Sequence, residues 1–172
     1  MAKYSGPKER LVAAQSIGTS LQELAELAKS EFEFVRLAVA RNPSANEQIL
    51  ASLIPESLES YDSQQIAEAI AQRADASAEL LASLAKSLQQ HLHAGRENSV
   101  AVSAAIKLCN HPRVRLQDVI GLISPDTSTT LFRKIIAREC RSIAVLEYLA
   151  KDRSSVVAER AKKSIALIGS AQ

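Results

Sequence analysis

Apolar side chains recur at intervals of three or four residues along most of the chain, which predicts a succession of short amphipathic helices. The clearest stretch, residues 35–53, places one apolar run before Asn42-Pro43 and a second run after it. Its apolar positions are Val35, Ala38, Val39, Ile49, Leu50 and Leu53. Because Pro43 disfavours helical geometry at Asn42, we expect one helix to end there and another to follow. Helices this short are not stable alone in water, so each needs neighbours to cover its apolar face.

The same two-helix pattern recurs along the chain. Each copy has a small residue at the position that Ala40 occupies in residues 35–53. These positions are Ala14, Ala40, Ala71, Cys109, Ala137 and Ala161, at spacings of 26, 31, 38, 28 and 24 residues. Paired helices that stack side by side in this way form an α-solenoid. The prediction is therefore an all-α fold, an α-solenoid (superhelix) of about five two-helix repeats.

The whole chain, residues 1–172, is predicted to form a single helical-repeat domain, with loose termini at residues 1–6 and 170–172. The stretch His93–Asn98 interrupts the pattern without a proline or a serine-rich linker, so we interpret it as an insertion within that domain. Three Ser-x-x-Glu patterns, which are typical of capping boxes, predict where helices begin. They are Ser20 with Glu23, Ser30 with Glu33, and Ser44 with Glu47.

Composition supports the helical prediction. The chain is 47% hydrophobic but only 3% aromatic, and its 28 Ala residues favour helices that approach closely. Two cysteines are too few for a disulfide framework. The first residues, MAKYSGPKER, contain no apolar segment of a signal peptide, and the chain has no run of 18 apolar residues. We therefore expect a cytoplasmic protein that does not cross a membrane.

Residues 35–53 resemble a unit of the leucine-rich repeat variant (LRV) family, VRxAVAxNPxxPxxxLxxLA. The matching positions are Val35, Arg36, Ala38, Val39, Ala40, Asn42, Pro43, Leu50 and Leu53. The resemblance implies a curved superhelix similar to armadillo and HEAT repeats. The family has no general enzymatic activity to carry over, and nothing here matches the cysteine-rich iron–sulfur segment of one of its members. The other copies depart from the family, because Arg36 is not repeated and Asn-Pro survives only as His111-Pro112.

Few residues suggest chemistry. Cys109 and His111 are the residue types of a cysteine-nucleophile site. However, Cys109 occupies the small repeat position and His111 the turn position of Asn42, so we predict a buried thiol and a turn-capping imidazole. His91 and His93 could ligate a metal, but a complete site needs three or four ligands and the sequence has no second cluster. We expect no metal, no other cofactor and no enzymatic activity.

The predicted function is that of a non-catalytic scaffold that binds another protein on one curved face of the repeats. In such a surface a few side chains carry most of the affinity. Repeat alignment places Arg41 and Arg138 at one equivalent position, with Arg73 one residue beyond it. These three arginines are the candidate partner-binding residues.

The alternative function is the binding of a nucleic-acid phosphate backbone through the basic second half of the chain. Residues 1–90 carry 8 Lys or Arg against 12 Asp or Glu, whereas residues 91–172 carry 13 against 7. The candidate basic surface is Arg113, Arg115, Arg133, Lys134 and Arg141. Aromatic residues that could stack on bases are nearly absent, so recognition of single strands is not expected.

Overall fold

The structure is a computed structural model that describes residue 4, residues 6–93 and residues 99–170. These residues form eleven α-helices and no strand, so the predicted all-α class is confirmed. Residues 94–98 of the predicted insertion His93–Asn98 lie outside the described residues, whereas His93 is the last residue of a helix. Residues 1–3, 5, 171 and 172 of the predicted loose termini also lie outside the described residues. The helices are α1 (Pro7–Gln15), α2 (Leu21–Leu27), α3 (Glu33–Arg41), α4 (Glu47–Ser52), α5 (Tyr61–Ala71), α6 (Ala78–His93), α7 (Ser99–Asn110), α8 (Leu116–Ile123), α9 (Thr130–Glu139), α10 (Ile143–Leu149) and α11 (Ser155–Gly169).

Helices pack with the helix two places further along the chain. The odd-numbered helices, which we call the first helices, contact one another in the order α1, α3, α5, α7, α9, α11. Among the even-numbered or second helices, α4 packs on α6, α6 on α8, and α8 on α10. Packing therefore follows chain order, and each first helix has its neighbours on both sides except at the two ends.

Each first helix buries a small residue where the sequence alignment predicted one. The six residues share an exposed fraction of 2% or less, and they are Ala14, Ala40, Ala71, Cys109, Ala137 and Ala161. A small side chain at a helix–helix contact shortens the distance between the two axes. These residues belong to one hydrophobic cluster that runs from α1 to α11 through the described part of the chain.

The predicted start of α2 is correct, and that of α3 is wrong. Ser20 precedes α2, and its hydroxyl oxygen accepts a hydrogen bond from the Glu23 N–H at 3.3 Å. The residue before α3 is Phe32, which has no capping side chain. The Ser30 hydroxyl oxygen instead accepts from the Phe32 N–H at 3.3 Å, which holds the chain in a turn before the helix begins.

The predicted capping box at Ser44 is also wrong. The Ala45 N–H donates to the Asn42 carbonyl at 3.1 Å, so residues 42–45 form a turn that must end before a helix can start. Asn46 then caps α4, because its side-chain oxygen accepts from the Ile49 N–H at 3.0 Å. The Ser44 hydroxyl instead donates to the Ile17 carbonyl oxygen at 2.9 Å, in the turn after α1.

Candidate partner-binding surface

Polar side chains hydrogen-bond the turn after one first helix to the turn after the preceding first helix, and we call each such set of bonds a tie. The first tie is Asn42, which is 2% exposed and follows the end of α3. Its amide nitrogen donates to the Ala14 carbonyl at 2.7 Å and to the Ser16 carbonyl at 2.9 Å. Its amide oxygen accepts from the Ser44 N–H at 2.9 Å. Asn42 therefore satisfies the carbonyls that end α1 and also shapes its own turn.

The second tie is Arg73, one of the predicted partner-binding arginines. Its guanidinium donates to the Asn42 carbonyl at 2.6 Å and to the Ala45 carbonyl at 3.1 Å. It also binds both carboxylate oxygens of Asp75, at 2.8 and 2.7 Å, and this hydrogen bonding lowers the pKa of Asp75. The Arg73 side chain is only 10% exposed. Its donors are used within the fold, so it is not displayed as predicted.

The third tie is His111, which follows α7. Its Nδ1 atom lies 3.2 Å from the Arg113 backbone nitrogen, whose N–H can only donate, so Nδ1 accepts. The ring proton then sits on Nε2, which donates to the Arg73 carbonyl at 2.9 Å. The Arg113 guanidinium extends the tie to the Asp75 and Ala76 carbonyls, each at 3.2 Å. The predicted turn-capping role of His111 is confirmed, and the geometry matches that of Asn42.

The last ties connect α7, α9 and α11. The Asn110 amide nitrogen donates to the Glu139 carbonyl at 3.2 Å, and its oxygen accepts from the Arg141 N–H at 2.6 Å. The Ser164 hydroxyl donates to the Ala137 carbonyl at 2.7 Å. Asn110 therefore holds the turn after α9 against the end of α7, and Ser164 holds α11 against α9.

The two cysteines are part of this packing. Cys109 is 1% exposed and Cys140 is 2% exposed, and the Cys140 thiol donates to the Cys109 carbonyl at 3.7 Å. Burial raises the pKa of both thiols. The nucleophilic thiolate is therefore disfavoured, and the prediction that Cys109 is a small buried residue is confirmed.

His91 and His93, which were weighed as metal ligands and from which no metal site is expected, lie at the end of α6. His91 is 7% exposed, and its burial lowers the pKa of its ring. The His93 Nδ1 atom lies 3.0 Å from the Thr127 carbonyl oxygen. Within the described part of the chain, no group of three or more His, Cys, Asp or Glu side chains is arranged to hold a metal ion.

Arg133, predicted as part of a basic surface, is buried, and that prediction is wrong. Its side chain and that of Asp152 are each 1% exposed. The Arg133 Nε and Nη2 atoms donate to the two Asp152 oxygens at 2.6 and 3.2 Å, and Nη1 donates to the Ser128 carbonyl at 2.5 Å. The sequence carries a signal for this: Arg133 lies three and four residues before the buried Ile136 and Ala137, on the apolar face of α9.

Asp152 is held in its charged form. Burial alone would raise its pKa, because burial penalises the carboxylate. Hydrogen bonds from Arg133 and from the Ser154 N–H, together with the positive charges of Arg133 and Arg153, outweigh burial and lower the pKa below its usual value. The pair is therefore a fully hydrogen-bonded buried ion pair that joins α9 to the start of α11.

The remaining predicted arginines and Lys134 are exposed. Arg41 donates to the Gln65 side chain at 3.2 Å, and Arg138 donates to Glu139 at 2.7 Å. Arg115 binds the carboxylate of Asp118. The charged groups of Lys134 and Arg141 make no ion pair within the described residues.

Open grooves lie between neighbouring first helices in the described part of the chain. The α1–α3 groove, about 310 Å³, is lined by Leu11, Gln15, Phe34, Leu37, Ala38, Arg41, Asn42 and Pro43. The α3–α5 groove, about 280 Å³, is lined by Ala40, Arg41, Glu68, Ala69, Gln72 and Arg73. The α9–α11 groove, about 380 Å³, is lined by Arg138, Glu139, Cys140, Arg141, Ser164, Leu167 and Ile168. All three predicted partner-binding arginines line a groove, although Arg73 does so with its guanidinium already bonded.

A larger cavity, about 720 Å³, lies beside α2 and was not predicted from the sequence. Its lining includes Tyr4, Arg10, Glu23 and Glu31. The Tyr4 hydroxyl donates to the Glu23 carboxylate, and burial together with this hydrogen bond raises the pKa of Tyr4 to about 12. No pattern in the sequence links Tyr4 to α2, because the contact depends on how the chain folds back.

Comparison with protein-family models, with curated proteins and with solved structures finds no match for this chain. The resemblance of residues 35–53 to the LRV family therefore stays a prediction. None of the helices in the described ranges is both long and apolar enough to span a bilayer.

Proposed function

We propose that this chain is a non-catalytic scaffold, an α-solenoid of the HEAT or LRV type, that binds a partner protein on the surface of its first helices. The observation that carries the proposal is the set of side-chain ties between successive turns, from Asn42 through Arg73 and His111 to Asn110. A scaffold whose turns are tied to one another holds its surface side chains in register before a partner arrives, which reduces the entropy lost on binding. We place its action in the cytoplasm.

The grooves between first helices are the proposed contact sites. Each has apolar lining residues beside an arginine, for example Phe34 with Arg41 and Leu167 with Arg138. Phe34 is 39% exposed and Leu167 is 69% exposed, so an incoming side chain can bury apolar area against them. Arginine is one of the residue types enriched among those that dominate binding energy, and such residues cluster in well-packed pockets.

The test is capture of a partner from the native cell extract on the immobilised protein, with and without nuclease. We expect a protein to be retained after nuclease treatment by the wild type, and to be lost with the double variant Arg41→Ala, Arg138→Ala. Lys86→Ala, an exposed lysine on the second helix α6, is the matched control and should retain it. Equal retention by all three proteins, or none by the wild type, would overturn the proposal.

A second candidate function, binding to a phosphate backbone, is favoured by the free charge of the last helices. Exposed basic side chains with no ion pair among the described residues concentrate there: Lys134, Arg141, Lys151, Lys162 and Lys163. Duplex binding measured over a salt titration is the test. A steep loss of affinity with salt supports this function, and no binding at low salt removes it.

A further inference from the structure

Internal hydrogen bonds hold the two sides of the α9–α11 groove in place. Asn110 holds the main chain of Glu139 and Arg141 with its two amide atoms, and Ser164 holds α11 on the Ala137 carbonyl. These bonds leave the Arg141 guanidinium unused, because Arg141 takes part in the tie through its backbone N–H. The groove therefore has a fixed rim with an unpaired cation on it.

The positive charge extends along both helices that border this groove. On α9, Lys134 lies one turn before Arg138, and on α11, Lys163 lies one turn before Leu167, so each pair shares a helix face. Residues 130–170 carry nine Lys or Arg against four Asp or Glu. Of the four acidic residues, Asp152 forms the buried ion pair with Arg133, and Glu139 forms an ion pair with Arg138.

The groove also has an apolar side. Leu167 is 69% exposed and lines the groove together with Ile168. A phosphate backbone offers nothing apolar to cover Leu167, and the Glu139 carboxylate on the rim, 45% exposed, would repel closely spaced phosphates. A peptide with spaced carboxylates and an apolar side chain can satisfy the cations, avoid Glu139 and cover Leu167.

We propose that the α9–α11 groove binds an acidic, leucine-containing segment of a protein partner. The inference rests on the proposed scaffold function and specifies the chemistry of the partner. Carboxylates of the segment bind Arg141 and Lys163, and its apolar side chain packs on Leu167 and Ile168. Binding weakens with salt, since the charges are exposed.

The probe is a short, fluorescently labelled peptide of glutamates around two leucines, with a matched peptide in which every glutamate is glutamine and a labelled DNA duplex alongside. We expect the acidic peptide to bind at low salt and the glutamine peptide and duplex to bind much more weakly. Arg141→Gln should weaken binding of the acidic peptide by about 1.5- to five-fold, the range of one exposed ion pair. Leu167→Ser should weaken both the acidic and the glutamine peptide, because it removes an apolar contact.

Lys86→Gln on α6 is the charge-matched control and should leave binding unchanged. Circular dichroism and the melting temperature establish that each variant is folded. No binding of the acidic peptide at low salt, equal weakening by Arg141→Gln and Lys86→Gln, or tighter binding of the duplex would each overturn the inference. The scaffold proposal is tested separately, by capture from extract: it fails if the wild type retains no protein or if the Arg41→Ala, Arg138→Ala protein still retains the same partner.

Discussion

The turns after α5 and after α9 each carry an arginine two residues beyond the helix end, Arg73 and Arg141, and the two are used differently. The Arg73 guanidinium reaches back to carbonyls of the preceding turn. Among the described residues, Arg141 bonds to the preceding turn only through its backbone N–H, which donates to the Asn110 side-chain oxygen. The difference comes from the neighbour: Asn110 offers its amide forward to the α9 turn, whereas the Asn42 amide nitrogen is bonded backward to α1.

This comparison shows that arginines at the same distance beyond a helix end are not equivalent in their contacts. Asn110 bonds the main chain of the α9 turn, so the Arg141 guanidinium is not needed there. Asn42 does not bond the α5 turn with its side chain, and the Arg73 guanidinium makes that connection instead. Arg133 is the extreme case, since all of its described contacts are internal and it is 1% exposed. The two uses should differ in the stability that is lost when each side chain is removed.

The largest effect is expected for Asp152→Ala, which leaves the Arg133 charge buried and unpaired. Breaking a buried ion pair in this way costs about 3–5 kcal/mol. The free energy of unfolding from urea titration is the measurement. Asp126→Ala is the control, because Asp126 pairs with Arg153 on the exposed surface and should cost less than about 1 kcal/mol. Similar losses for the two variants would show that burial of the pair does not matter.

Arg73→Ala should have the next largest effect on stability. It removes charged hydrogen bonds to the Asn42 and Ala45 carbonyls, each contact of this kind being worth about 1.5–3 kcal/mol. Because the wild-type side chain is 10% exposed, solvent replaces only part of this loss. Arg41→Ala, whose only described polar contact is with Gln65, should stay within about 0.5 kcal/mol of the wild type in the same titration. A smaller loss of unfolding free energy for Arg73→Ala than for Arg41→Ala would show that the Arg73 side chain is not part of the stabilising contacts.

The Arg133–Asp152 pair also predicts a pH dependence. The Asp152 pKa is lower in the folded protein than its unfolded value of about 3.9, so its contribution is fully present above that value. The contribution is lost as the pH falls below about 3.9 and through the folded pKa. The stability difference between wild type and Asp152→Asn, measured by denaturation at a series of pH values, should therefore shrink at acid pH. A difference that is constant across this range would contradict the assignment.

The smallest stability effect is expected for Arg141→Gln. Its guanidinium has no partner within the described residues, and its backbone N–H bond to Asn110 is kept. The melting temperature should match that of the wild type, with a change in the free energy of unfolding of less than about 0.5 kcal/mol. Asn110→Ala, which removes both bonds to the α9 turn, is the comparison and should be less stable. If Arg141→Gln destabilised the protein as much as Asn110→Ala does, the Arg141 side chain would have a structural role like that of Arg73.

Sequence reasoning was most reliable where a local pattern controls the outcome. The buried position of Cys109 and the turn position of His111 were predicted because the repeat aligns them with Ala40 and Asn42. Helix starts were less reliable, since Ser44 was expected to cap α4 and Asn46 does so. A serine near a helix start has several backbone partners within reach, and the turn at Asn42 decided which one it used.

By itself, the sequence determined that this protein is all-helical and that a small residue recurs where first helices meet. Both follow from apolar spacing and side-chain size, which act over a few residues. Only the tertiary structure decided that Arg73 is bonded, that Arg133 is buried with Asp152 and that Arg141 is free. The use of a long charged side chain depends on which carbonyl or carboxylate the fold brings within about 3 Å of it. Deciding partners such as Asn42 for Arg73 and Asp152 for Arg133 lie far away in sequence.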